Sequence, residues 1–305
     1  MLGALTGFVT IGIVIAVGML VAHIGLFDMP AQRVLARLAF YVGSPCLMLL
    51  TIAEADVHRL LSANLVASFT AVVVVCLIWV LLARFVWKLD VGATTIGALS
   101  SAYVNAGNLG IPIAAYALGD AALVAPTLLM QLLFLQPLAL VVLDRHVRGG
   151  GGVRRVLVTA VTNPLTVGSL LGLLMAIFGV RLPTPIHAPI ELLGELAVPA
   201  MLLGYGIALR LGPGLGAGIG GQLWATSLLK LLVQPLVAWA VAAGLLGAEG
   251  LPLLAIVVTA ALPTAQNIFV HATRYDVGTA VSRDTILITT LGSVPVILLA
   301  VLLLS

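Results

Sequence analysis

The chain has 305 residues; 62% are hydrophobic, 8% are charged, and the formal net charge is +3. Soluble domains carry about a quarter charged residues, so this composition excludes one and specifies a protein whose solvent is lipid. The small basic excess follows from an asymmetry between loops, and no nucleic-acid partner is expected.

A helix needs about 20 apolar residues to cross the hydrocarbon core of a bilayer. Ten such stretches follow one another, at residues 4–26, 34–53, 62–87, 93–118, 121–143, 156–180, 188–209, 220–246, 251–273 and 281–304. Runs such as LVASFTAVVVVCLIWVLLA lack the alternation of a lipid-facing barrel strand, so the spans are helical and the fold is an all-α polytopic membrane protein. The first span has no basic segment before it and no small-residue cleavage site, and reads as a retained helix. Cys46 and Cys76 fall inside spans, where they act as small packing residues.

An even number of spans puts both termini on one face and divides the loops into two sets. One set holds Arg33, Arg37, Arg84, Lys88, Arg145, Arg148, Arg154, Arg155, Arg210, Arg274 and Arg283; the other holds Arg59 and Arg181. Cytoplasmic loops are the Lys/Arg-rich ones, so both termini are expected on the extracytoplasmic side of a bacterial inner membrane. The most basic segment, DRHVRGGGGVRR at 144–155, carries four consecutive glycines and reads as a flexible cytoplasmic linker.

That linker marks the midpoint of an internal repeat. SPCLMLLTIAEADV from Ser44 resembles VPAMLLGYGIALRL from Val198, which sets Pro45 against Pro199, Pro112 against Pro263 and Pro137 against Pro295. The expected organisation is a first five-helix repeat at 1–143, the linker at 144–155, and a second repeat at 156–305. Five spans per copy invert the second copy in the membrane. Inverted repeats place a transport site near mid-depth, where the copies meet.

Spans four and nine carry the polar interruptions. Span four contains NAGNLGIP, residues 105–112, and span nine contains ALPTAQNIF, residues 261–269. A helix broken inside lipid survives only where protein or a watery cavity surrounds the gap. Gly107 and Gly110 lower helical preference, and Pro112 suits the first turn of a new helix. Each span is therefore expected as two half-helices that cross at their gaps. Half-helix N-termini there would present partial positive charge to an anion. The amides of Asn105, Asn108, Gln266 and Asn267 would either repair backbone groups or hold the ligand.

Two ionisable groups lie deep in spans. Lys230 is about ten residues into span eight, where an ionisable side chain is costly unless paired or hydrated. It either supplies positive charge near a bound carboxylate, stands where a coupling cation would, or partners helix carbonyls or a glutamate such as Glu195. His271 follows Asn267 by one turn and could carry a coupling proton, or serve as a hydrogen-bonded packing residue. The histidines show no metal-ligand spacing and no nucleotide-binding motif occurs, so no metal or cofactor is expected and transport is passive or coupled to an H+ or Na+ gradient.

These residues resemble the auxin efflux carrier family, the PIN-like organic-anion permeases, through all ten spans. NAGNLGIP is similar to the family's Asn, four residues, Gly-Ile-Pro pattern, and ALPTAQNIFVHATRYDV to its Ala-Leu-Pro stretch ending in tyrosine. LMQLLFLQP sets Gln131 and Gln136 at the family's glutamine spacing, and KLLVQP sets Lys230 five residues before a proline. The resemblance implies a crossover elevator fold, with spans one, two, six and seven as scaffold and spans three to five and eight to ten as transport domain. It implies a homodimer through the scaffold and a carboxylate near Asn105, Pro112 and Pro263; with Asn108, Gly110, Gln131, Gln136, Gln266 and Asn267 these make up the expected substrate site. The chain lacks the plant carriers' charged pair in span three and has Ile268 in place of their second proline, so auxin itself is not implied.

The rival reading is a sodium- or proton-coupled carrier of the bile-acid-transporter or antiporter type. Such carriers would be expected to place acids at the crossover, whereas Glu54, Asp56, Glu191 and Glu195 cluster at span ends. An intramembrane hydrolase would need a nucleophile with a His or Asp partner, and Ser100, Ser101 and Ser293 have no evident one.

Overall fold

The computed structural model describes residues 2–54, 63–148, 164–212 and 220–304. Within them the backbone is helical apart from short connections and one isolated β-bridge. The helices are α1 (Leu2–His23), α2 (Met29–Ala53), α3 (Ala63–Phe85), α4 (Val91–Ala102), α5 (Ala106–Leu118) and α6 (Ala121–His146). They continue as α7 (Pro164–Phe178), α8 (Thr184–Leu211), α9 (Gly221–Leu245), α10 (Gly250–Ala261), α11 (Asn267–Tyr275) and α12 (Thr279–Leu304). Among the described residues, α2, α3, α6, α8, α9 and α12 are long and apolar enough to cross a membrane. Leucine, valine and phenylalanine side chains such as Leu77, Phe85, Leu299 and Leu302 are exposed along them, as lipid-facing positions require.

Aspartates start several of these helices. The Oδ1 atoms of Asp28, Asp90 and Asp120 accept from the N–H groups of Ala31, Ala93 and Ala122, each at 2.8 Å, satisfying donors that the first helical turn leaves without partners. The linker expected at 144–155 begins later than its sequence suggests. Residues 144–146 are the end of α6 and the helix runs on to Arg148, and the buried Asp144 accepts from Tyr275 Oη at 2.8 Å. The glycine run, Arg154 and Arg155 lie outside the described residues, as do Asp56, Arg59 and the start of the sixth span.

Among the described residues six wide turns have π-type hydrogen bonding: two close α5 and α9, at Ala114–Leu118 and Ala240–Leu245, and four precede prolines, at Ala39–Gly43, Ala106–Gly110, Gln131–Leu135 and Leu229–Val233. Each of these four ends two residues before its proline: Pro45, Pro112, Pro137 and Pro235. Proline has no N–H to donate, and its ring collides with the carbonyl one α-turn earlier. Widening that turn by one residue moves the carbonyl aside and lets the helix continue. This corrects the expectation for span four. Its non-helical residues are 103–105, while Gly107 and Gly110 sit in a wide turn and Pro112 lies inside α5.

The chain forms two compact units. The first comprises Met1–Ser62, Gly107–Leu129 and Val161–Pro213; the second comprises Ala63–Ala106, Met130–Ala160 and Gly214–Ser305. In the first, α1 packs on α8 and α2 on α7 with glycine at the contacts. A Cβ at Gly18 would collide with the Leu203 carbonyl, and one at Gly206 with that of Ile15. A Cβ at Gly172 would lie 2.5 Å from the Leu49 oxygen, and one at Gly43 2.8 Å from the Ala197 Cα. Helices in lipid gain nothing from burying apolar surface against each other, and such close approach supplies dispersion contact instead.

Among the described residues of the second unit, two apolar clusters stand out. One joins Ile96, Leu99 and Tyr103 to Leu140, Leu143, Ile268 and Tyr275. The other gathers Val72, Val75, Ala102, Met130 and Leu229 around Trp79. The Trp79 indole lies against Gly97 and donates to the Thr94 carbonyl at 2.9 Å.

Candidate functional site

Within the second unit, α4 stops at Ala102 and α10 at Ala261, and the strands that follow them run past each other. Val104 and Thr264 form an antiparallel bridge: Asn105 N–H donates to the Pro263 carbonyl at 2.8 Å, and Ala265 N–H to the Tyr103 carbonyl at 3.1 Å. Two interrupted segments thus meet at their gaps and repair each other's backbone.

Side chains satisfy much of what remains. The Gln131 carboxamide embraces the Val104 peptide groups, Oε1 accepting from the N–H at 2.7 Å and Nε2 donating to the carbonyl at 3.1 Å. Thr264 N–H donates to Thr289 Oγ1 at 3.1 Å, and the Thr264 hydroxyl donates to the Ser100 carbonyl at 2.6 Å. Gln234 Nε2 donates to the Ala102 carbonyl at 2.9 Å, and Lys230 Nζ to the Ala260 carbonyl at 2.8 Å. A buried backbone group without a partner is costly in lipid, which explains so many amides and hydroxyls in a chain this apolar.

A smaller polar group lies beside the bridge, where Gln136 Oε1 accepts from Tyr103 Oη at 3.0 Å and from Asn267 Nδ2 at 3.2 Å. Asn267 opens α11, so its amide sits at a helix N-terminus, the positive end of the peptide dipoles. Its Oδ1 is buried with no hydrogen-bond partner among the described residues, as is the Ser100 hydroxyl oxygen. Asn105 is buried at 3% exposure and Gln266 is half-buried. The Tyr103 hydroxyl already donates to Gln136, so what this charge-poor group can offer an anion is the second hydrogen of Asn267 Nδ2 and the positive end of α11.

The sequence-derived residues therefore divide. Asn105, Gln131, Gln136, Pro263, Gln266 and Asn267 all belong to the second unit, with Pro263 inside the gap. Asn108, Gly110 and Pro112 belong to the first unit, on α5. Gln131 is committed to the Val104 backbone, and Lys230 to the Ala260 carbonyl and Gln234, not to Glu195. His271 is half-buried on α11, four residues after Asn267. Tyr103, Thr264 and Thr289 were missed by sequence reasoning. The first two flank residues already singled out, but Thr289 lies in span ten, and only the fold reveals its role.

A family model described as "Membrane transport protein" matches residues 4–145 and 153–301. A protein of Rhizobium meliloti (strain 1021) named "Putative malonate transporter" is 28% identical over 284 residues, covering 88% of this chain and 86% of that protein.

Proposed function

The chain belongs to the membrane transport protein family, the group of auxin-efflux-carrier-like permeases, and from that premise we propose that it is a secondary transporter of small carboxylates. It is a multi-pass membrane protein and a transporter, not an enzyme. The observation that carries the proposal is the Val104–Thr264 crossing, with the Tyr103, Gln136 and Asn267 polar group at its side. The carboxylate is bound by Asn267 and Asn105 with the N-terminus of α11, while Gln131 holds the backbone that positions them. The family relative's name supports a dicarboxylate of malonate size.

The same reading extends to architecture. Ten spans form an inverted pair of five, related by the two broken segments and the proline pairs. The first compact unit, which gathers spans one, two, six and seven with residues 107–129, supports a scaffold; the second supports a transport domain that moves as an elevator. The scaffold dimerises, and the basic loops face the cytoplasm of a bacterium. His271, half-buried on α11, is the group through which a proton gradient would be felt.

The test is uptake into proteoliposomes across mono- and dicarboxylates, malonate included, with and without imposed proton and sodium gradients. Saturable uptake of at least one small carboxylate is expected. Asn105→Ala should lower that uptake roughly tenfold, the worth of one charge-assisted hydrogen bond, and leave the detergent-purified protein folded. Unaltered substrate affinity in this variant would reduce Asn105 to a backbone partner, and a protein inert toward every carboxylate would refute the substrate class.

A further inference from the structure

Lys230 is fully buried, at 0% exposure, in the wide turn of α9. Its ammonium donates to two oxygens: the Ala260 carbonyl at 2.8 Å and Gln234 Oε1 at 2.7 Å. Gln234 in turn donates through Nε2 to the Ala102 carbonyl at 2.9 Å. Ala260 lies in the last turn of α10, and Ala102 is the last residue of α4. One side chain thus reaches the C-terminal end of one half-helix directly and that of the other through a carboxamide relay. Among the described residues no carboxylate pairs with Lys230.

We propose that Lys230 is a tethered counter-ion for the two half-helices that end at the crossing, filling the place a bound metal cation would otherwise occupy. Each helix C-terminus carries roughly half a negative elementary charge, so two converging ends sum to roughly one, which a single ammonium cancels. The surrounding medium screens such charge poorly, so the pair of ends would repel each other and any incoming anion if left bare. Gln234 is suited to the relay because its oxygen accepts from the ammonium while its NH2 donates onward, each bond polarising the next. With the C-terminal ends cancelled, the positive N-terminus of α11 is left to dominate the field at the crossing. A sodium ion is then unnecessary at this position, and transport needs none there. The last two consequences rest on the carboxylate reading; the counter-ion itself does not.

Purified wild type, Lys230→Ala and Lys230→Gln are compared by thermal unfolding in detergent, in the chlorides of choline, sodium, lithium and methylammonium. Wild type should unfold at the same temperature in all four salts. The Ala variant, which opens room for a small cation, should unfold earlier in choline and recover in sodium, lithium or methylammonium. Carboxylate uptake by the Ala variant should fall roughly tenfold in choline and return with the same cations. An Ala variant whose stability ignores the choice of cation overturns the proposal, as does a Gln variant as stable as wild type in choline. If the Ala variant folds in no salt, the Gln variant decides: recovery in a small cation upholds the counter-ion, and its absence refutes it. A wild type that moves no carboxylate would remove the proposed function and leave the unfolding comparison standing.

Discussion

The two compact units answer the same difficulty in different ways. Lipid offers helices no hydrophobic reason to associate, so something else must hold them. In the first unit the backbones of α1 and α8, of α2 and α7, and of α2 and α8 come so close that Gly18 and Gly206, Gly172, and Gly43 have no room for a side chain. In the second unit the carboxamides of Gln131 and Gln234, the Lys230 ammonium and the hydroxyls of Thr264 and Thr289 tie broken backbones together. The first arrangement is intolerant of volume and indifferent to polarity; the second has the opposite sensitivities. A unit held by shape suits a fixed frame, whereas one held by donors and acceptors can present polar groups to a solute without losing its own cohesion.

The comparison breaks most readily at Gly206. Gly206→Val should drive the new Cβ into the Ile15 carbonyl and cost about 3 kcal/mol, since packed helices cannot part locally. Detergent-solubilised protein would show it as a large fall in unfolding temperature, and a wild-type value would remove the shape argument for the first unit. Gln131→Leu keeps volume but strips the Val104 N–H of its acceptor, and should cost about 2 kcal/mol together with most of the transport. Were that variant as stable and active as wild type, the second unit would not depend on polar repair. The smallest effect is expected from Trp79→Phe, which keeps most of the packing on Gly97 and loses the bond to the Thr94 carbonyl, for about 1 kcal/mol. Unfolding in denaturant resolves a change of that size, and transport should be preserved.

Much of this was legible in the sequence because lipid makes the rules strict. Helical spans, polar interruptions in the fourth and ninth of them, and the presence of Asn105, Pro263 and Asn267 near the gaps follow from hydropathy and from the cost of bare backbone groups. The exact seat of the fourth-span gap was not legible. Pro112 looked like the start of a helix because the wide turn at Ala106–Gly110 that accommodates it depends on backbone geometry, which composition does not report. Roles of amides were equally hidden. Gln131 and Gln136 look alike five residues apart, yet Gln131 clasps a peptide while Gln136 accepts from Tyr103 and Asn267, a distinction set by partners far away in the chain. For Lys230 the sequence left three roles open, and its bond to the Ala260 carbonyl, a partner 30 residues away, is visible only in the fold.

The wide turn at Gln131–Leu135 also fixes how α6 is aimed. It contains one residue beyond an ordinary turn, so everything after it is rotated by about 100° from where uninterrupted winding would have put it. Deleting a single leucine there would restore regular pitch and leave Gln136 on the side that meets Tyr103, whereas regular winding with every residue kept would swing it away. The extra residue therefore sets the direction of this polar group through the winding of the backbone, without altering any of the side chains that compose it.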